Sequence, residues 1–387
     1  MSAPKREPSL LSNEIRTLTV TALAAGGDGV ARDDGRVTFV PRTAPGDVVR
    51  VRLVQQTKSF ARGQLVEIVT PSSARVAPPC PAFERGCGGC AWMHVSRAEQ
   101  LAAKQAVVAG ALRKLVGATL HPIADPAPAL GWRRRARFHV QGGRVGLYRE
   151  NSNDVLAIDA CPQLEPVLDE KLREVSKGDV GRGESEVVML RGYRGDVVVG
   201  FGARKADDPV IEIEPGLWGT AWDFAQASEA GNAKLIEIAR AALGPGSGAQ
   251  LLELYAGAGN LTRGFIADGW SVLASDVVAP QRAPDVDAKQ LEYRTGAAAD
   301  IVQRVVGEQR AFDGVVLDPP RAGAAEAIDG IIAISPRVIV YVSCDPATLA
   351  RDAERLVAAG YRATDAWPVD LMPQTSHVEV VLRLERA

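Results

Sequence analysis

The chain has 387 residues, 46% hydrophobic and 24% charged, with a formal net charge of -2. That is an ordinary globular composition with room for two or three domains, and it excludes a strongly basic nucleic-acid binder, so any basic surface must be local. No apolar run reaches the length of a membrane span and the start, MSAPKREPSL, has no apolar signal core, so the expectation is a cytoplasmic protein with no membrane segment.

Residues 1–12 read as a disordered tail. Over 13–71, short β-rich runs (RTLTVTAL, GRVTFVP, DVVRVRLVQQ, FARGQLVEIV) alternate with turns at Gly26-Gly27-Asp28-Gly29 and Asp34-Gly35. This predicts a small five-stranded barrel of the oligonucleotide-binding type. Arg36, Arg42, Arg50, Arg52, Lys58 and Arg62 face one acid, Asp47, in the stretch 36–62. They form either a solvated face or a phosphate-contacting one.

Residues 72–217 follow as a second domain. Cys80, Cys87 and Cys90 cluster after a Pro-rich lead, and Cys161 stands apart. In a reducing compartment such thiols read as metal ligands, and the spacing alone leaves zinc and an iron–sulfur cluster open. Apolar positions at helix spacing predict a helix over about 96–116, packing on the domain that follows. The segment Gly131-Trp132-Arg133-Arg134-Arg135-Ala136-Arg137-Phe138 sets four arginines between aromatic residues, as an RNA-contacting strand would, or a half-exposed strand with an apolar inner face. Arg144 and Arg149 extend the patch.

From 218 to 387 strands and helices alternate, the signal of a mostly parallel sheet covered on both faces, Rossmann-like in class. The strand 249–255 (AQLLELY) turns through Ala256-Gly257-Ala258-Gly259-Asn260 into a helix, and the next strand ends in Asp276. Small residues admit a ligand close to the backbone, and a carboxylate there can accept from both ribose hydroxyls, so an adenosine-containing cofactor is expected. A further strand ends in Asp318-Pro319-Pro320-Arg321. The related motif of amino-group methylases has an aromatic ring in the fourth place, so Arg321 argues against N-methylation. The apolar strand 337–343 delivers Cys344, with Asp345 as N-cap and Pro346 as first helical residue. A thiol at a helix N-terminus is expected to favour thiolate. Leu371 to Glu379 precede the last strand, and on the residues alone His377 and Glu379 read as structural.

The strings ELYAGAGNLT, LDPPRAGA, YVSCDPATLARD and MPQTSHVE, in this order, strongly resemble the RNA uracil-5 methyltransferases, in the branch with an N-terminal TRAM barrel and a four-cysteine iron–sulfur site. The resemblance spans nearly the whole chain. It implies an α/β methyltransferase that takes its methyl group from S-adenosylmethionine. Cys344 is then the nucleophile and Glu379 the base, with Gln226, Tyr255, Gly257, Asn260, Asp276 and Asp318 lining the cofactor and uracil pocket. It also implies a [4Fe–4S] cluster on Cys80, Cys87, Cys90 and Cys161. The RNA is large-subunit ribosomal RNA, with transfer RNA as the alternative, bound by a monomer that needs no obligate protein partner. A non-catalytic RNA-binding protein would have lost Cys344 or Glu379, and cytosine-5 methylation would place a proline rather than Ser343 before the cysteine. Two departures stand out. Six residues separate Cys80 from Cys87, where five are usual, and 277–296 is short and holds Pro280 and Pro284, with Gly296 where the family often has Asn.

Overall fold

The computed structural model describes residues 14–178, 185–280 and 282–386; the tail expected at 1–12 lies outside them. The chain divides into two compact units, Met1–Val107 with Gln374–Ser376, and Val108–Pro373 with His377–Ala387.

In the first unit the strands Ile15–Leu23, Gly29–Asp33, Arg36–Val40, Val48–Gln56 and Phe60–Thr70 close into a barrel. Alternation builds it: Val49, Val51 and Leu53 point inward to meet Leu18, Val20, Val40 and Ala61, while Arg50 and Arg52 point outward. Arg42 is not on the expected basic face. Its guanidinium lies over the Phe83 ring and donates to the Phe83 carbonyl at 2.8 Å. Nor is Asp47 a surface counter-charge. Fully buried, it accepts from Ala44 N–H, Ser72 N–H and Arg75. The helix expected near 96–116 forms over Arg97–Leu112, and its buried Gln100 amide bonds to Gln374 through both side-chain ends.

The second unit contains two main sheets. The smaller is an antiparallel set in the order Val197–Phe201, Glu186–Arg191, Arg135–Gln141, Arg144–Tyr148, Val155–Ala157. Along the arginine-rich segment Trp132, Arg134, Ala136 and Phe138 are buried, whereas Arg137 on the other face is exposed and Arg133 and Arg135 are half-buried. Trp132 and Phe138 therefore pack rather than stack on a ligand. Arg134 is a structural cation: fully buried, it donates to the carbonyls of Gln226 and Ile213 and to the Glu214 carboxylate.

The larger sheet runs Leu291–Thr295, Ser271–Asp276, Gln250–Leu254, Gly314–Leu317, Val338–Ser343, Glu379–Arg386, Tyr361–Val369, Thr119–Leu120. The first five strands are parallel, and Glu379–Arg386 returns antiparallel between its neighbours. Both faces are covered, as continuous apolar strands require. Leu252 and Leu254 meet Ile301, Ile328 and Leu349 from helices on one face, and Leu251 meets Leu235, Leu243 and Phe265 on the other. Between Asp276 and Leu291 the described residues contain no helix, in keeping with the two prolines there. Among the described residues no helix is long and apolar enough to cross a membrane.

Candidate active site

Register alone gathers the expected residues. Leu254 pairs with Ser275 on one side and Leu317 on the other, and Leu317 pairs with Tyr341. The residues that end or follow these strands, Tyr255, Asp276, Asp318 and Cys344, therefore line the carboxyl edge of one parallel sheet. In the strand order, Gln250–Leu254 and Gly314–Leu317 are the neighbours between which the direction of winding reverses, where open α/β sheets hold ligands.

At the cofactor end the backbone leaves the strand at Tyr255 (φ 60°) and continues through Gly257 (φ 56°), beside whose missing Cβ there is no atom within 4 Å. Asp276 holds this turn, accepting from Gly257 N–H at 2.9 Å and from Val278 N–H at 3.2 Å. That leaves lone pairs on both oxygens for further donors. The Tyr293 hydroxyl braces the same turn by donating to the Gly257 carbonyl. Asn260 exchanges two amide hydrogen bonds with Asn232, which also donates to Glu214. The Tyr255 hydroxyl donates to Glu326 at 2.6 Å. Gln226 is fixed through its backbone carbonyl by the buried Arg134. Open space beside Gly257 and free acceptors on Asp276 suit an adenosine-bearing methyl donor.

At the chemical end, Val338–Ser343 pairs antiparallel with Glu379–Arg386, from Val338↔Glu385 to Ser343↔Val380. One step further along this register sets Cys344 opposite Glu379, and opposed residues of an antiparallel pair share a face. Asp345 caps the next helix as expected, its carboxylate accepting from Ala347 and Thr348 N–H at 3.0 Å each. The helix terminus does not make a thiolate of Cys344, however. Burial, with the Glu379 charge beside it, pushes the thiol up to about 11, against the pull of the Arg321 charge. Desolvation outweighs the partial charge of a helix end. Burial likewise raises Glu379 to about 8, with Asp318 adding repulsion and Arg321 opposing it, and raises Asp318 to about 7.

Three members of this site escaped the sequence reading. Arg321, quoted there only for not being aromatic, lies 3.0 Å from His377 Nε2 and acts on Cys344 and Glu379 alike. Glu253 accepts from the Thr262 hydroxyl at 2.7 Å and is raised to about 8 by burial. Its signal was a lone carboxylate inside an apolar strand. Tyr293 gave no signal at all.

The expected metal site on Cys80, Cys87, Cys90 and Cys161 is not shown. Among the described residues, no group of three or more His, Cys, Asp or Glu side chains is placed to hold a metal ion. Cys80 and Cys87 are buried and close enough for a charge on Cys80 to act on Cys87, whose sulfur also accepts from Gly89 N–H. Cys161 belongs to the other compact unit, its N–H donating to Asp169 at 2.7 Å. A run of cysteines specifies ligand chemistry, but convergence across distant segments is a tertiary matter.

Known proteins are similar to this chain over its length. Residues 11–66 match the TRAM domain, and residues 297–387 match the family described as tRNA (Uracil-5-)-methyltransferase. A 23S rRNA (uracil(1939)-C(5))-methyltransferase from Marinomonas sp. is 31% identical, with 96% of this chain and 95% of the relative covered. One from Cronobacter sakazakii is 32% identical, with 97% of each covered. In fold, the chain is similar to the Pyrococcus abyssi tRNA (uracil-54, C5)-methyltransferase solved with S-adenosyl-L-homocysteine. That likeness has a TM-score of 0.72 and 22% identity, over 95% of this chain and 100% of the other. A barrel at the start, an α/β methyltransferase sheet and full-length likeness agree: the chain belongs to the TRAM-bearing, S-adenosylmethionine-dependent RNA uracil-5 methyltransferases.

Proposed function

We propose that this chain methylates carbon 5 of a uridine in large-subunit (23S) ribosomal RNA, in the cytoplasm, with Cys344 as nucleophile and Glu379 as base. The observation that carries the chemistry is the strand register that sets Cys344 against Glu379 at the carboxyl edge of the sheet, with Asp318 and Arg321 beside them. Choice of RNA rests on the full-length relatives named for 23S rRNA.

Uracil C5 is too weak a nucleophile to take a methyl group unaided. Cys344 is held as a thiol until the uracil arrives, and the Asp318 carboxylate nearby would receive its proton, leaving Glu379 ionised for the later step. The thiolate, favoured by the Arg321 charge, adds to C6, and the electron pair moves through C5 toward O4 as an enolate. Bound S-adenosylmethionine supplies the electrophilic methyl group. Glu379, as carboxylate, then removes the C5 proton, and the returning electron pair expels Cys344. Gly257 and Asp276 would shape the ribose end of the donor site, with Gln226, Tyr255, Asn260 and Asp318 completing the pocket.

RNA would meet two basic faces, each described within its own unit. On the barrel Arg50, Arg52, Lys58 and Arg62 are exposed; on the small sheet Arg137 is exposed, with Arg133 and Arg135 half-buried on the same face. Burial, and then the charges of Arg137 and Arg133, hold Arg135 below the usual arginine range. The test is in vitro methylation with labelled donor of 23S rRNA and of transfer RNA, both free of 5-methyluridine. Label in one 23S site is expected, and label only in the transfer-RNA T-loop would overturn the substrate assignment.

The same reading assigns Cys80, Cys87, Cys90 and Cys161 to a [4Fe–4S] cluster. Support comes from the sequence pattern and from the buried Cys80–Cys87 pair with an N–H and two arginines, Arg42 and Arg85, acting on the sulfur; a set of three ligands is not assembled. No step of the reaction passes through it. Anaerobically purified protein is expected to hold about four irons and four sulfides per chain; one zinc and no iron would refute the cluster.

A further inference from the structure

The helix that begins behind Cys344 has a second set of contacts, at its middle. Asp352 is fully buried. Its Oδ2 accepts from Ala324 N–H and from the Tyr341 hydroxyl, each at 2.8 Å, and its Oδ1 accepts from Arg351 Nε at 2.8 Å. From the same helix Arg351 donates to the Ala322 carbonyl at 2.9 Å and Arg355 to the Ala325 carbonyl at 2.7 Å. Helix Pro346–Ala358 thus grips the backbone of residues 322–325 by three neighbouring side chains. The grip is tight. Gly323 sits at φ +81°, and a Cβ there would lie 2.6 Å from Asp352 Oδ2 and 2.5 Å from Arg351 Nη2.

Arg321 is the residue immediately before this gripped segment; its guanidinium lies 3.0 Å from His377 Nε2, and its charge acts on the Cys344 thiol. Cys344 lies just before the helix. Both groups are therefore mounted on one rigid element, the sulfur at its start and the guanidinium through the loop clamped to its middle.

We propose that Asp352 is a positioning residue for methyl transfer: by locking the Arg321 loop onto this helix, it holds the guanidinium charge near the nucleophilic sulfur. The proposal rests on the reading of Cys344 as nucleophile and deepens it. A buried carboxylate is costly unless its lone pairs are filled. Here all three partners are donors, so an asparagine would turn its NH₂ against one of them.

Asp352→Asn gives a test whose sign separates the alternatives. The probe is the rate of iodoacetamide alkylation of Cys344 in the native protein at pH 8, read by mass spectrometry on its peptide. Deleting a carboxylate, by charge alone, would ease thiolate formation and speed alkylation. Loosening Arg321 does the reverse. A tenfold loss of thiolate, partly offset by greater nucleophilicity, slows alkylation about threefold, and kcat for methylation is expected to fall about tenfold or more with KM for the methyl donor unchanged. Arg321→Gln should slow alkylation similarly, and the double variant should be no slower than Arg321→Gln alone. Unchanged or faster alkylation in folded Asp352→Asn, or additive slowing in the double variant, would overturn the proposal. If Asp352→Asn does not fold, Tyr341→Phe, which keeps the carboxylate and removes one donor, must slow alkylation, and no change there is equally fatal. Alkylation reports on the sulfur without turnover, so failure of the nucleophile assignment would be seen separately, as methylation by Cys344→Ala.

Discussion

Cys344→Ala is expected to lose RNA methylation by at least about 10⁴-fold while keeping its fold and its affinity for the methyl donor. Only the sulfur can raise the electron density of C5 by adding to C6, and the site offers no substitute: Asp318 and Glu379 are carboxyls held partly protonated near neutral pH by burial. The proposed donor site, at Gly257 and Asp276, lies on the other side of the strand-order reversal, so its affinity should be unaffected. Single-turnover methylation with purified 23S rRNA, beside calorimetric titration of the donor, gives both numbers. Appreciable turnover by the alanine variant would end the covalent mechanism.

Glu379→Gln is expected to trap a covalent protein–RNA adduct, seen as a shifted band on denaturing gels, with turnover reduced about 10²–10⁴-fold. Glutamine preserves shape but cannot accept the C5 proton, so addition and methyl transfer proceed and elimination stalls. Wild type should show a related pH dependence. The Glu379 carboxyl is raised to about 8, so its basic form grows with pH. Below that value kcat/KM is expected to rise close to tenfold per pH unit and to level above it. The opposite slope would show that the protonated acid is the working form. Normal turnover in the glutamine variant, without adduct, would remove Glu379 from the role.

The raised values describe a site tuned for stepwise proton traffic. On the proposed mechanism, a thiol raised to about 11 beside carboxyls raised to about 7 and 8 would stay protonated until substrate binds. Arg321 offsets that penalty, acting on sulfur and base together. A nucleophile held poised by a helix terminus, as the sequence suggested, would be the more exposed to oxidation.

Much of the site was legible because its signals are local. Small residues at 256–259, a carboxylate ending the following strand, Asp345 and Pro346 opening a helix: each depends on neighbours a few residues away. The arginine-rich segment shows where local reading divides. Its composition left open an RNA-contacting strand or a half-exposed strand with an apolar inner face, and strand alternation set Arg134, Trp132 and Phe138 in the core. Arg42 left the barrel's basic face in the same way, drawn onto Phe83.

From its sequence this chain determined the barrel, the strand–helix alternation and the place of each reactive group at a strand end, because propensity, capping and side-chain period act over a few residues. Tertiary structure alone decided the antiparallel return of the last strand beside Val338–Ser343, which sets Glu379 against Cys344, and the burial that shifts both groups. It also decided the clamp of Asp352 on the Arg321 loop. These depend on pairing between segments distant in the chain and on exclusion of water, and neither is written in any single stretch of residues.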